Sequence, residues 1–199
     1  MDSKINNMNK ASLIDNFERK GVTLTQEEKE LLLSAFQTVY VKKKDYLLTS
    51  GAVCDFEAFV VQGCFKEYCL DEKGEEHIIH FSIEDWWLAD LESYNYERPS
   101  KIFIQALEDS EVLLIRKERK EALYDEIPVL EKIYRRMTQQ ECIALQRRIV
   151  NKLSMDATAE YEDFCKRYPS LVQRLTNIQI ASYLGISQEF LSKIRSKKK

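Results

Sequence analysis

The feature that most constrains this 199-residue chain is a twenty-residue stretch near its C-terminus, Asn177-Ile-Gln-Ile-Ala-Ser-Tyr-Leu-Gly-Ile-Ser-Gln-Glu-Phe-Leu-Ser-Lys-Ile-Arg-Ser196. Ile178, Ala181 and Leu184 repeat at helical spacing, and Gly185 follows as the one residue type that enters a left-handed turn without steric penalty. Ser187 stands where a helix N-cap belongs, its hydroxyl placed to accept the free amides of the next turn. Phe190, Leu191 and Ile194 then resume an apolar face, leaving Gln188, Glu189, Ser192, Lys193 and Arg195 directed outward. Ala181 has to be small, because two helices crossing steeply bring their backbones together. The pattern predicts a helix-turn-helix, whose second helix enters the DNA major groove. The competing reading is a helical hairpin that serves only as core. The outward side-chain types, which can pair with base edges, favour DNA.

Charge is distributed in the same sense. The net charge of −3 conceals 9 Lys/Arg against 5 Asp/Glu over residues 151–199, and 21 against 28 over residues 1–150. A basic C-terminal part on an acidic body suits a sensor joined to a polyanion binder. The terminal run Lys197-Lys-Lys199 is either a phosphate-touching end or solubilising charge. The five cysteines (Cys54, Cys64, Cys69, Cys142, Cys165) are odd in number and contain no CxxC pair. With polar residues 1–20 lacking the apolar core of a signal peptide, the expectation is a cytoplasmic chain with reduced thiols and no membrane span. His77 and His80, the only histidines, are three apart on an expected strand and so face opposite sides. No shared metal site, and no cofactor, is expected from them.

The elements before the C-terminal motif change texture twice. Residues 1–36 read as an amphipathic helical lead, with Leu13, Ile14 and Phe17 on one face. A second helix follows the cap-like Thr25 with Glu28 three residues on, burying Leu31, Leu32 and Phe36. From about residue 38 to 116, short β-branched and aromatic runs alternate with turn residues. Strands are expected at 56–61, 64–70, 77–81, 102–107 and 112–115, with a hairpin turn over Asp71 to Gly74, and the series suggests a closed antiparallel roll or jelly roll. From Pro128 to about Met155 there is neither glycine nor proline. Leu130, Ile133, Met137, Ala144, Leu145, Ile149 and Leu153 recur every three or four residues, with Gln140, Glu141 and Arg148 interrupting. A helix of roughly 25 residues spans about 37 Å, long enough to be a dimer axis. The alternative is a helix packed only on its own body. A further helix over 157–168, ended by Pro169, leads into the helix-turn-helix.

Three parts in this order resemble the Crp/Fnr family of bacterial transcription regulators. Phe59-Val-Val-Gln-Gly63 is similar to that family's strand-then-glycine turn, and Asp71-x-x-Gly-Glu75 to its next hairpin. Gln179-Ile-Ala-Ser-Tyr-Leu-Gly-Ile-Ser187 and Leu191-Ser-Lys-Ile-Arg195 resemble the variety common in Bacteroidetes, as do Trp86-Trp87, Ala106-Leu-Glu-Asp-Ser110 and Tyr161-x-x-Phe164. The resemblance implies an α+β chain. A β-roll or jelly-roll sensor of the cyclic-nucleotide-binding type would occupy 1–127, a long dimerisation helix 128–155, and a small all-α (winged) helix-turn-helix domain 156–199. It implies a homodimer whose partners are double-stranded DNA and RNA polymerase, with a small-molecule effector left open. Gln188, Glu189 and Lys193 fall at base-reading positions, whereas Ser187, Ser192 and Arg195 fall where phosphate is met.

Departures from the family bear on the effector. Members that bind cyclic nucleotides hold the ribose with a Gly-Glu pair and the cyclic phosphate with an Arg-Ser pair. Here the first falls near Leu88-Ala-Asp90 without its glycine. The second falls near Ser100-Lys101 with no Arg in register, although Arg98 could enter from a shifted loop and Lys101 could supply a point charge. No response to cAMP is therefore expected. A pocket built from Trp86, Trp87, Asp90, Tyr94, Arg98, Ser100 and Lys101 is the place to look for another effector, unless the aromatics are core. Two other functions compete: a sensor-adaptor whose C-terminal helices recruit a protein, and an enzyme. The outward Gln188, Glu189 and Lys193 disfavour the first. The lack of a nucleophile–base pair, phosphate-cradling glycine loop or metal box disfavours the second.

Overall fold

The computed structural model describes residues 11–196; the run Lys197-Lys-Lys199 and the first ten residues of the helical lead lie outside them. The chain forms two compact units: residues up to 67 together with 81–138, and residues 68–80 together with those from 139 on.

In the first unit, helix α1 (11–18) and helix α2 (Gln26–Ser34) precede the strands. Helix α2 opens on the expected capping box, Thr25 Oγ1 accepting from the Glu28 amide and the Glu28 carboxylate accepting from the Thr25 amide at 2.7 Å. Eight strands follow, with residues 68–70 of β4 and 76–80 of β5 falling in the second unit: β1 (Gln37–Val41), β2 (Tyr46–Leu48), β3 (Phe56–Gln62), β4 (Phe65–Leu70), β5 (Glu76–Ser82), β6 (Trp87–Leu88), β7 (Phe103–Ala106) and β8 (Ser110–Arg116). They form two four-stranded sheets of order β1-β8-β3-β6 and β2-β7-β4-β5, the expected jelly roll. Strands β1, β2 and β6 had no separate sequence signal, being short or partly exposed.

Alternation along β3 and β8 explains how one sheet carries two cores. Across the register, Ala58 faces Leu114, Phe59 faces Leu113 and Val60 faces Val112. Ala58, Val60, Val112 and Leu114 enter the roll interior with Phe56, Phe65, Leu88 and Ile104. Phe59, Leu113 and Ile115 point the other way, into a helix-covered core with Leu13, Phe17, Leu32, Phe36, Leu123, Ile127, Leu130, Ile133 and Tyr134. The sequence pattern did not show two helices, α3 (Leu91–Tyr96) and α4 (Lys117–Glu126), of which α4 adds Leu123 to that second layer. Helix α4 is so charged that its apolar face reduces to few residues. One of its charges, Lys120, is buried and paired with Glu57 at 2.5 Å, its ammonium 4.0 Å from the Tyr134 ring centroid. A buried pair of this kind demands that both partners be present.

Pro128 precedes α5 (Val129–Ser154) as expected. The periodic residues along α5 do not all share one role. Leu130 and Ile133 are fully buried in the helix-covered core, and Met137 packs against it. Their place is therefore inside the protomer and not on a seam open to a second copy. Ala144, Leu145 and Ile149 belong to the second unit, where Leu145 and Ile149 are exposed.

In the second unit α6 (Ala157–Arg167), α7 (Pro169–Arg174), α8 (Asn177–Leu184) and α9 (Gln188–Ser196) follow α5. Pro169 does end α6, but it also opens α7 from the first helical position, where its missing N–H is harmless. Tyr161, Phe164, Leu171, Leu175, Ile180, Ala181, Leu184, Leu191 and Ile194 supply the buried apolar side chains of these helices and their connections. Among the described residues no strand follows β8, so the wing anticipated beside the helix-turn-helix is not present there. The five cysteines form no disulfide, and no described helix is long and apolar enough to cross a membrane.

Candidate nucleic-acid interface

Helices α8 and α9 are joined by the expected turn. A capping box opens α8, with Thr176 Oγ1 accepting from the Gln179 amide and Gln179 Oε1 accepting from the Thr176 amide at 2.8 Å. At its end Gly185 adopts φ 63°, ψ 38°, its amide reaching Ser182 O while the Ile186 amide reaches Ala181 O at 3.0 Å. This paired closure satisfies the last carbonyls of α8 and turns the chain by a left-handed step that glycine makes freely. Ser187 Oγ then accepts from the Phe190 amide at 3.2 Å, capping α9.

Two sequence expectations shift here. Ile178 is 63% exposed and Ile180 takes its buried place, while Phe190 is 46% exposed beside the buried Leu191 and Ile194. Both short helices bury a narrow stripe, so a residue one position off the stripe faces solvent.

Ser187, Gln188, Glu189, Ser192, Lys193 and Arg195 are all exposed. Glu189 is held below the ordinary carboxylate range by its own backbone amide, by the Ser187 hydroxyl and by Lys193. Its carboxylate is thus an acceptor only, the form that can take a hydrogen from a cytosine amino group. Arg195 donates to Asn177 Oδ1 at the start of α8, which holds that side chain beside the first helix. The face therefore combines one amide, one carboxylate and one ammonium within six residues, flanked by hydroxyls and a guanidinium.

Sequence reasoning missed what grips the other side of α8. Ser182 Oγ accepts from the Ile78 amide at 3.1 Å and donates to Glu76 O at 2.7 Å. Arg148 of α5 donates to Ile78 O, Ile79 O and Tyr183 O, its guanidinium 4.2 Å from the Tyr183 ring centroid. Lys152 donates to Leu184 O and pairs with Glu160 at 3.1 Å. In the sequence Arg148 only interrupts an apolar repeat, and no local pattern announces a contact 70 residues away.

The histidines separate as expected. His77 is exposed and meets Asp71 at 3.1 Å, and with Glu75 these form a surface trio whose ligand atoms lie within 4.8 Å of one another. The Asp71 carboxylate also accepts the Lys73 and Glu75 amides, closing the hairpin turn. His80 is held below the ordinary histidine range by burial and by Arg148, with Glu141 opposing.

The residues expected to line an effector pocket are divided between core, surface and a contact joining Asp90, Tyr94 and Ser100. Trp87 lies in the helix-covered core, its ring centroid 5.4 Å from Phe59 and 5.8 Å from Phe17 and Tyr134. The aromatic is thus filling space between sheet and helices. Trp86 is partly buried at the turn before it, its carbonyl accepting from the Val60 amide. Tyr94 is buried with its hydroxyl unpartnered, and burial raises its pKa. Arg98 and Lys101 are exposed, Arg98 stacking over Tyr96 at 5.5 Å. Asp90 meets both the Tyr94 amide, through its carbonyl at 2.8 Å, and Ser100. Asp90 caps α3 by accepting the Glu92 and Ser93 amides, and its other oxygen accepts from Ser100 Oγ at 2.7 Å.

Comparison with known proteins agrees with this architecture. Residues 38–126 match the family model of the cyclic nucleotide-binding domain. Among solved structures, FixK2 from Bradyrhizobium japonicum is similar with a TM-score of 0.70 at 16% identity, over 81% of this chain and 83% of that one. A putative transcriptional regulator of the Crp/Fnr family from Eubacterium rectale gives 0.67 at 17% identity, over 86% and 82%. The c-di-GMP-responsive global regulator CLP of Xanthomonas campestris gives 0.67 at 11% identity, over 87% and 91%. No curated protein matches the sequence. The fold is the one these solved structures share, a cyclic-nucleotide-binding-type roll followed by C-terminal helices.

Proposed function

We propose that this protein is a homodimeric, sequence-specific DNA-binding transcription regulator of the Crp/Fnr type that does not respond to cAMP. The observation that carries the reading is α9 itself. Its start is capped and Leu191 and Ile194 of its apolar stripe are buried, while Gln188, Glu189 and Lys193 are exposed toward base edges.

Dimerisation is assigned to the second half of α5. There Leu145, Ile149 and Leu153 repeat every four residues and are 41%, 61% and 83% exposed, with Ile143 and Val150 beside them at 52% and 54%. A continuous apolar stripe of this kind on a free helix calls for a partner, and a second copy supplies the same stripe by two-fold symmetry. The non-response to cAMP rests on Asp90 and Ser100. The acidic group in the ribose register and the hydroxyl in the phosphate register are bonded to each other, and an internal carboxylate already occupies the α3 amides.

The test is selection from random duplex DNA, followed by affinity measurement over a range of salt. The account expects an inverted-repeat site bound with a steep salt dependence and far more tightly than random DNA. Binding that is salt-insensitive, or equal for all sequences, would instead favour a tail that docks a protein.

A further inference from the structure

Strand β5 is an edge strand, the last in the order β2-β7-β4-β5. An open edge leaves a row of amides and carbonyls that must be met by something. Here the helix-turn-helix meets it. The hairpin residues 68–80 form one compact unit with the helices from residue 139 on, and the contact is made by few, well-aimed groups. Ser182 Oγ takes the Ile78 amide and gives its hydrogen to Glu76 O, as a neighbouring strand would. Arg148 fills the carbonyls of Ile78 and Ile79 and reaches across to Tyr183 O at 3.1 Å. One turn on, Lys152 fills Leu184 O. Two cations thereby cover the last carbonyls of α8, its negative end. None of these groups covers the reading face: Gln188, Glu189, Ser192 and Lys193 remain exposed.

We propose that Arg148 and Ser182 are positioning residues. They form a clamp that fixes the orientation of α8, and through the Gly185 turn of α9, against α5 and β5. The proposal rests on the DNA-binding reading above. A contact that leaves the reading face open does not mask it, so its effect is on geometry. A dimer engaging two half-sites needs its two recognition helices at a set separation, one DNA turn apart. A helix pair free to swing still binds one half-site, but it lowers the effective concentration of the second. It also tolerates half-sites set at the wrong distance.

Spacing is therefore the readout, since a merely weakened fold would not change it. Wild-type protein, Arg148→Ala and Ser182→Ala are compared on the selected two-half-site operator, on a single half-site, and on operators with the spacing changed by two base pairs. Both variants are expected to lose about tenfold on the two-half-site operator, and less than about twofold on the single half-site. Both are expected to discriminate less than the wild type against altered spacing. Arg148→Lys, a point donor without the guanidinium fork, should resemble Arg148→Ala. Amide exchange reads the clamp without DNA, and Ser182→Ala should speed exchange at Ile78. Unchanged spacing discrimination in both alanine variants, or unchanged exchange at Ile78, would overturn the proposal. Wild-type protein that selects no DNA, with Ile78 still protected through Ser182, would overturn the DNA-binding reading and with it the clamp's task.

Discussion

At the scale of single residues, the most informative pair is Asp90 and Ser100. The sequence showed a missing glycine and a missing arginine, which are absences. The structure adds a bond from Ser100 Oγ to Asp90 Oδ2 at 2.7 Å, on which the proposed lack of response to cAMP rests. Any ligand that engaged either group would have to replace that bond. Millimolar cAMP is thus expected to leave the melting temperature unchanged. A ligand at a hundredfold over its Kd would stabilise the fold by about 2.7 kcal/mol, which a melting scan reads easily. His80 carries a second prediction. Because burial holds its folded pKa below the ordinary 6.5, the folded chain resists the proton that the unfolded chain accepts. Stability is therefore complete above about pH 6.5 and falls as the pH drops below it, until the folded value is reached. His80→Gln should flatten that fall in chemical denaturation between pH 7 and 5. An equal fall in wild type and variant would contradict the assignment.

At the scale of elements, the roll strands and the helix-turn-helix were legible because each has a strong local signal. Short β-branched and aromatic runs bounded by turn residues marked 56–61 and 112–115, and a small residue, glycine and cap serine marked the turn at 185–187. The misses have a common cause in tertiary context. Helix α4 is mostly charged, and its one buried lysine finds Glu57 sixty-three positions away. Helix α3 depends on Asp90 as its cap, which reads equally well as a ligand group. Helix α5 was legible as a helix, but one periodicity served two surroundings. Its first turns complete the helix-covered core, and its later turns leave Leu145, Ile149 and Leu153 open. Replacing Ile149 and Leu153 together by Glu should therefore give a folded monomer by light scattering. Ile133→Glu should instead unfold the protomer, since a charge placed in a fully buried aliphatic site has no partner. A folded monomer from Ile133→Glu would contradict this division of α5.

At the scale of the whole molecule, a charge asymmetry and a C-terminal pattern pointed to a sensor joined to a DNA reader. The cyclic nucleotide-binding domain match over residues 38–126 and the likenesses over 81% and 86% of the chain agree with a roll followed by C-terminal helices. What no sequence pattern conveyed is that residues 68–80 belong with the C-terminal helices, because the bonds from Ser182 and Arg148 run to backbone atoms, which carry no residue signature. The proposed function rests on α9 reading bases. It is tested most directly by measuring Gln188→Ala, Glu189→Ala, Lys193→Ala and Arg195→Ala on the selected operator, on every single-base variant of it, and across salt. The first three should each cost about 1–3 kcal/mol and relax preference at one base position per half-site. Arg195→Ala should weaken all sequences alike and reduce the salt slope by about one. Wild-type affinity and selectivity in all four variants would show that another surface does the reading.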